Sequence, residues 1–89
     1  MFTQELINKV KAFKKEKYAT ASAASSRGAD IATINYIRSI GDKAANLLDA
    51  YSCLNANAVC KSYSKDVRGQ FEGLANERYE ELMDLIEGF

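Results

Sequence analysis

The stretch Asp30–Leu54, DIATINYIRSIGDKAANLLDAYSCL, decides the fold of this chain. Its apolar and small residues recur at alternating spacings of three and four, which puts them on one stripe of an α-helix. The residues of this stripe are Ile34, Ile37, Gly41, Ala44, Leu48 and Tyr51. Because Ile40, Leu47 and Leu54 widen the stripe to a broad apolar face, the pattern predicts a central helix against which the other segments pack.

Gly41 lies on the inner stripe of this helix. A glycine inside a helix costs about 1 kcal/mol relative to alanine, so its position favours an unbroken helix that a neighbour approaches closely. The alternative is a break at Gly41, with Asp42 capping a new helix. Asp30 precedes the stripe and is the predicted N-cap of the central helix.

The flanking segments also have helical spacing. A first helix is predicted from about Thr3 to Tyr18 with Thr3 as its N-cap, and residues 19–29 are either a short helix or a flexible connection. Residues 55–58, NANA, predict a turn, and a last helix follows over about 59–87. Its stripe consists of Tyr63, Val67, Phe71, Leu74, Arg78, Leu82 and Ile86. Gly69 and Gly73 lie on another face, where they indicate either a close contact or a bend.

Composition agrees with helices throughout. The 89 residues include no Pro, only 5 Gly and 47% hydrophobic residues, which favours an all-α fold over strands and turns. We therefore predict a single domain, residues 1–89, folded as a small three- to four-helix bundle. A long antiparallel hairpin of residues 30–54 and 59–87 forms its base, with the first helix against it. No apolar run resembles a signal peptide or a membrane span, so the expected location is cytoplasmic.

Charge is balanced in total and uneven along the chain. Lys and Arg number 12, as do Asp and Glu, but the basic residues concentrate in 1–38 and the acidic ones in 70–89. The simplest interpretation is that the two ends lie side by side or form solvated faces. The alternative is attraction between copies or toward an acidic partner. The lysines of the first helix suit a helix C-terminus, and membrane or nucleic-acid binding is the functional alternative.

The residue types give little support to catalysis. The chain has no His, the usual general base near neutral pH, and no phosphate-binding or dinucleotide-binding motif. We predict no catalytic residue, no cofactor and no metal site, and we interpret the acidic cluster Glu77, Glu80, Glu81 and Asp84 as a solvated face. Cys53 and Cys60 flank the predicted turn, where they form either a disulfide or two small buried thiols.

The run Gly28–Gly41, GADIATINYIRSIG, resembles the second half of the helix-turn-helix in mercury-resistance-type transcription regulators. The matching positions are Gly28, Thr33, Ile34, Tyr36, Ile40 and Gly41, with Ala24 four residues before the first Gly. The family usually has Arg where this chain has Asn35, and its wing is missing here. The resemblance implies a helix-turn-helix in residues 20–41 as the alternative function. The residues facing DNA would then be Asn35, Tyr36, Arg38 and Ser39.

The first functional prediction is a protein-binding module without enzymatic activity, acting as an adaptor, an inhibitor or a self-assembling homodimer. The predicted last helix is longer than the first helix can cover, which leaves apolar surface for a protein partner or a second copy. Aromatic and aliphatic side chains within a charged rim are typical of such surfaces. The residues predicted to bind the partner are Phe71, Tyr79, Leu82, Ile86 and Phe89, and their alternative role is ordinary core.

Overall fold

The computed structural model describes residues 3–89, which form three helices and no strand. Helix α1 spans Gln4–Ser26, α2 spans Ile31–Ala58 and α3 spans Lys65–Gly88. Both α1 and α3 pack against α2, so α2 is the central helix that the sequence predicts. The molecule measures 54 × 23 × 20 Å. The prediction of an all-α bundle is confirmed.

Each helix begins at a side chain that caps its first turn. The hydroxyl of Thr3 accepts from the backbone N–H of Leu6 at 3.2 Å, and a carboxylate oxygen of Asp30 accepts from the N–H of Thr33 at 2.7 Å. Both caps were predicted from the sequence and are confirmed. Ser64 accepts from the N–H of the third residue after it, at 3.3 Å, and so begins α3.

Three predicted helix ends differ from the structure. Residues 55–58 were expected to turn, but α2 continues through them to Ala58, and the connection to α3 is residues 59–64. Alanine is the best helix former, so an Asn-Ala repeat extends a helix that is already formed. The last helix therefore starts at Lys65 rather than 59, and Tyr63 lies in the connection. Helix α1 is also longer than predicted, because residues 19–26 are helical.

The core lies where the three helices meet. Its buried hydrophobic residues are Leu6, Val10, Phe13, Ile40, Ala44, Leu47, Tyr51, Ala75 and Leu82. Helix α2 is unbroken at Gly41, which is buried, and the residues nearest to it are Lys14 and Lys17 of α1. Ile34 and Ile37, which were predicted on the inner stripe, are only half-buried. They lie toward the end of α2 that packs on α1, beyond the C-terminus of α3.

Helix α1 approaches the second half of α3 at a few positions, where residues of the basic and acidic segments come near each other. Lys9 lines a cleft with Tyr79 and Met83, and Lys17 donates a hydrogen bond to the carbonyl oxygen of Phe89 at 3.4 Å. This is the simplest of the sequence interpretations. Within residues 3–89, however, the lysines of α1 form their only ion pair with α2, between Lys14 and Asp42 at 3.6 Å.

Candidate interaction surface

Helix α3 has an inner side against the core, two flanking sides and an exposed outer side. Ala75 and Leu82 are buried at about 1% and 0% exposure, where α3 packs into the core. Tyr79 and Met83 lie on a second side and face the start of α1 across a cleft of about 290 Å³. Successive residues are about 100° apart around a helix. The other flanking side therefore carries Leu74, Arg78, Glu81 and Leu85, which we name the free edge of α3. Leu85 packs partly against the core, and Leu74 and Glu81 are exposed.

The free edge combines apolar ends with a charged centre. Leu74 is 45% exposed, Leu85 is half-buried, and their spacing with Arg78 and Glu81 is four, three, four. That spacing is the one by which a helix presents a continuous seam to another helix. In the described part of the chain, residues 3–89, no further helix lies over this seam.

Arg78 joins the acidic residues of α3. Its Nη2 atom is 2.8 Å from a carboxylate oxygen of Glu81 and 3.5 Å from one of Glu77. Its Nε atom is buried and has no hydrogen-bond partner among the described residues. The guanidinium is thus oriented along the seam by its own helix, with donor capacity remaining because Arg carries five N–H groups.

The five residues predicted to bind a partner do not form one exposed surface. Leu82 is completely buried, so this part of the prediction needs correction: it is a core residue because α3 packs its inner side on α2. Tyr79 and Ile86 are half-buried against the core. Phe71 contacts Tyr63 of the connection, with ring centroids 5.2 Å apart. Phe89 is 56% exposed and covers Lys17.

Tyr79 has a structural partner in α2. Its ring centroid is 5.3 Å from that of Tyr51, a buried residue whose pKa is raised, chiefly by burial. Edge-on and tilted ring pairs at this distance stabilise packing beyond the area that they bury. Tyr79 therefore packs on α2 and also lines the cleft between α1 and α3.

The residues predicted to contact DNA are exposed together on α2. Asn35, Tyr36, Arg38 and Ser39 all lie on its surface near the helix start. The helix pair around them differs from the resembled motif. The hydroxyl of Tyr18 donates to Asp42 at 2.7 Å, a hydrogen bond that raises the pKa of this tyrosine. Contact so far from the connection shows α1 and α2 running side by side as an antiparallel hairpin, whereas helix-turn-helix units diverge at about 90–120°.

The connection between α1 and α2 keeps one feature of the resemblance. Gly28 has a φ of 84°, a backbone conformation that favours glycine. It allows the chain to reverse in four residues, 27–30, between the two helices. The glycine therefore serves a tight helical hairpin.

Both cysteines are free thiols. Cys53 is exposed and Cys60 is half-buried. The candidate disulfide assumed a turn at 55–58 that would place the two residues opposite each other. Because α2 continues to Ala58, Cys53 lies inside the helix and is separated from its end by roughly 8 Å of helical rise. A disulfide requires Cα atoms within about 7 Å.

We also searched the described residues for a metal site and for a membrane span. In residues 3–89 no three His, Cys, Asp or Glu side chains are grouped so that they could hold a metal ion. None of the helices in this range is long and apolar enough to cross a membrane. Comparison with protein-family models, with curated proteins and with solved structures found no match to this chain.

Sequence reasoning found the members of the free edge but not the edge itself. The sequence pattern puts Leu74 and Arg78 on the same stripe as Leu82, and Glu81 in the acidic cluster. The available signal was the spacing of four, three, four along the free edge, which runs beside the core stripe. Because the two central residues are charged, a pattern of apolar positions alone does not indicate that seam.

Proposed function

We propose that this chain is a protein-interaction module without enzymatic activity, and that its partner is a second copy bound through the free edge of α3. The observation that carries this proposal is the exposure of Leu74, at 45%, in line with Leu85, which packs against the core on one side and is only half-buried. Covering a leucine side chain fully contributes about 1.5–3 kcal/mol, so pairing two such seams is favourable.

A second copy suits this seam because of its composition. Its two leucines are separated by a cation and an anion. Two copies of the seam can therefore form contacts between leucines and contacts between opposite charges. A symmetric dimer uses the same patch on both subunits, which demands this kind of self-complementarity. The absence of His is the reason for assigning no catalytic role. The cytoplasmic location and the DNA-binding alternative stay predictions, and the hairpin geometry of α1 and α2 does not favour the latter.

Sedimentation velocity over a wide concentration range tests the proposal. The wild-type protein should sediment faster as its concentration rises, whereas Leu74→Glu should remain a monomer at every concentration. The matched control is Val59→Glu, because Val59 is 73% exposed but lies in the connection, away from the free edge. This control should associate like the wild type. A wild-type protein that stays monomeric at high concentration, or a Leu74→Glu variant that associates equally well, would contradict the proposal.

A further inference from the structure

We infer that the two copies pair with their α3 helices antiparallel, with Leu74 of each against Leu85 of the other and Arg78 of each against Glu81 of the other. This inference deepens the proposed function and rests on it. Its basis is the symmetry of the free edge about the midpoint between Tyr79 and Glu80. Leu74 and Leu85 are equally far from that midpoint, and so are Arg78 and Glu81.

The symmetry decides the direction of the helices. In an antiparallel pair centred on this midpoint, both leucine contacts are apolar and both central contacts join opposite charges. In a parallel pair in register, Arg78 would lie against Arg78 and Glu81 against Glu81. Like charges held together at an interface are unfavourable, so the residues of this edge select the antiparallel arrangement.

The side-chain geometry also suits the antiparallel pair. Arg78 is held along the seam by its 2.8 Å contact with Glu81 of its own helix, and both side chains remain accessible, at 34% and 49% exposure. A second carboxylate can therefore approach the exposed part of the guanidinium, although its Nε atom is buried. The charged centre would then be a network of two arginines and two glutamates, bracketed by leucines.

The scale of the seam predicts reversible association. From Leu74 to Leu85 the helix rises by roughly 16 Å, which is three turns. A contact of that length is small for a permanent dimer. Its charged centre lies near solvent, so its contribution should weaken as the ionic strength rises.

Two single charge reversals test the register. Arg78→Glu places two glutamates on each copy at the centre of the seam, and Glu81→Arg places two arginines there. Each variant alone should self-associate about tenfold more weakly than the wild type. When the two variants are mixed, every central contact joins opposite charges again, and a heterodimer should form that native mass spectrometry detects by its mass. Within each chain, residues 78 and 81 still repel after mixing, so a change confined to the single helix cannot produce this recovery.

Glu80→Arg is the matched control, because it makes the same charge change on the exposed outer side of α3. It should associate like the wild type, and circular dichroism should show equal helix content in all variants. If the wild type dimerises but the mixture does not recover, the register is wrong and the proposed self-association stands. If the wild type is monomeric at all concentrations, the register and the proposed function are both wrong.

Discussion

Gly41 lies so close to Lys14 that a Cβ atom added to the glycine would be 3.2 Å from the lysine Cα. The same atom would be 3.3 Å from the Cβ of Lys17. These are backbone and near-backbone atoms, which cannot move without shifting helix α1. The packing of α1 on α2 therefore depends on the missing side chain at this position.

We expect Gly41→Ala to destabilise the protein despite the better helix propensity of alanine. Overpacking a tight contact costs about 1–3 kcal/mol, whereas the propensity gain is about 1 kcal/mol. The control is Gly73→Ala, because a Cβ there meets nothing within 4 Å and the variant should gain up to about 1 kcal/mol. Urea unfolding of both variants measures the difference. A stabilised Gly41→Ala variant would show that α1 adjusts freely at this contact.

Sequence reasoning identified the central helix and the role of this glycine, because a Gly on an inner stripe has a cost that only close packing offsets. It could not identify the full length of the neighbour, α1, which continues to Ser26. Ala21 is completely buried, yet the segment that contains it has no large apolar side chains to indicate a helix face. The spacing of Gly69 and Gly73 indicates a close contact or a bend, but the structure leaves open space around both glycines.

Leu82→Ala should lower the free energy of unfolding by about 2–5 kcal/mol, because this side chain has 0% exposure and its loss leaves a cavity. Leu74→Ala, on the exposed edge of the same helix, should change the free energy of unfolding by less than about 0.5 kcal/mol. Chemical denaturation at a concentration where the protein is monomeric separates the two effects. Equal losses in the two variants would be inconsistent with a buried Leu82 and a free Leu74.

The sequence could not show which of Leu82 and Leu74 is buried, because the two residues lie close together around the helix. Both belong to the same apolar stripe in the sequence, and the two side chains differ by about 80° around the helix. Which of two such positions is buried depends on the angle at which the neighbouring helix crosses. That angle depends on tertiary contacts without a sequence signature, such as the packing of Tyr79 on Tyr51 with ring centroids 5.3 Å apart.

The N-cap of α2 should make stability depend on pH in acid. Hydrogen bonds from Thr33, first from its side chain and then from its backbone N–H, lower the pKa of Asp30 below 3.8. A carboxyl whose pKa is lower in the folded state stabilises the fold fully above its unfolded pKa and loses that contribution as the pH falls through the folded pKa.

Asp30→Asn isolates this effect, because Asn caps a helix but does not titrate. We expect the difference in stability between the wild type and this variant to decline as the pH falls below 3.8, in thermal unfolding measured at several pH values. The other carboxyl groups are common to both proteins and cancel in the comparison. A difference that stays constant over this range would mean that Asp30 titrates alike in the folded and unfolded chains.

Phe89 should hold the end of α3 against α1 through Lys17. Lys17 is only 9% exposed, and its ammonium nitrogen lies 5.4 Å from the ring centroid of Phe89 and 5.1 Å from that of Phe13. A cation over an aromatic face contributes about 1 kcal/mol when partly shielded from water. Phe89→Ala should therefore raise the hydrogen-exchange rates of the last turn of α3 roughly fivefold, since local opening there becomes easier. Tyr36→Ala is the control, because Tyr36 is also an exposed aromatic residue, at 61%, but lies on α2. Unchanged exchange in Phe89→Ala would show that α3 is held at this end by its aliphatic contacts alone.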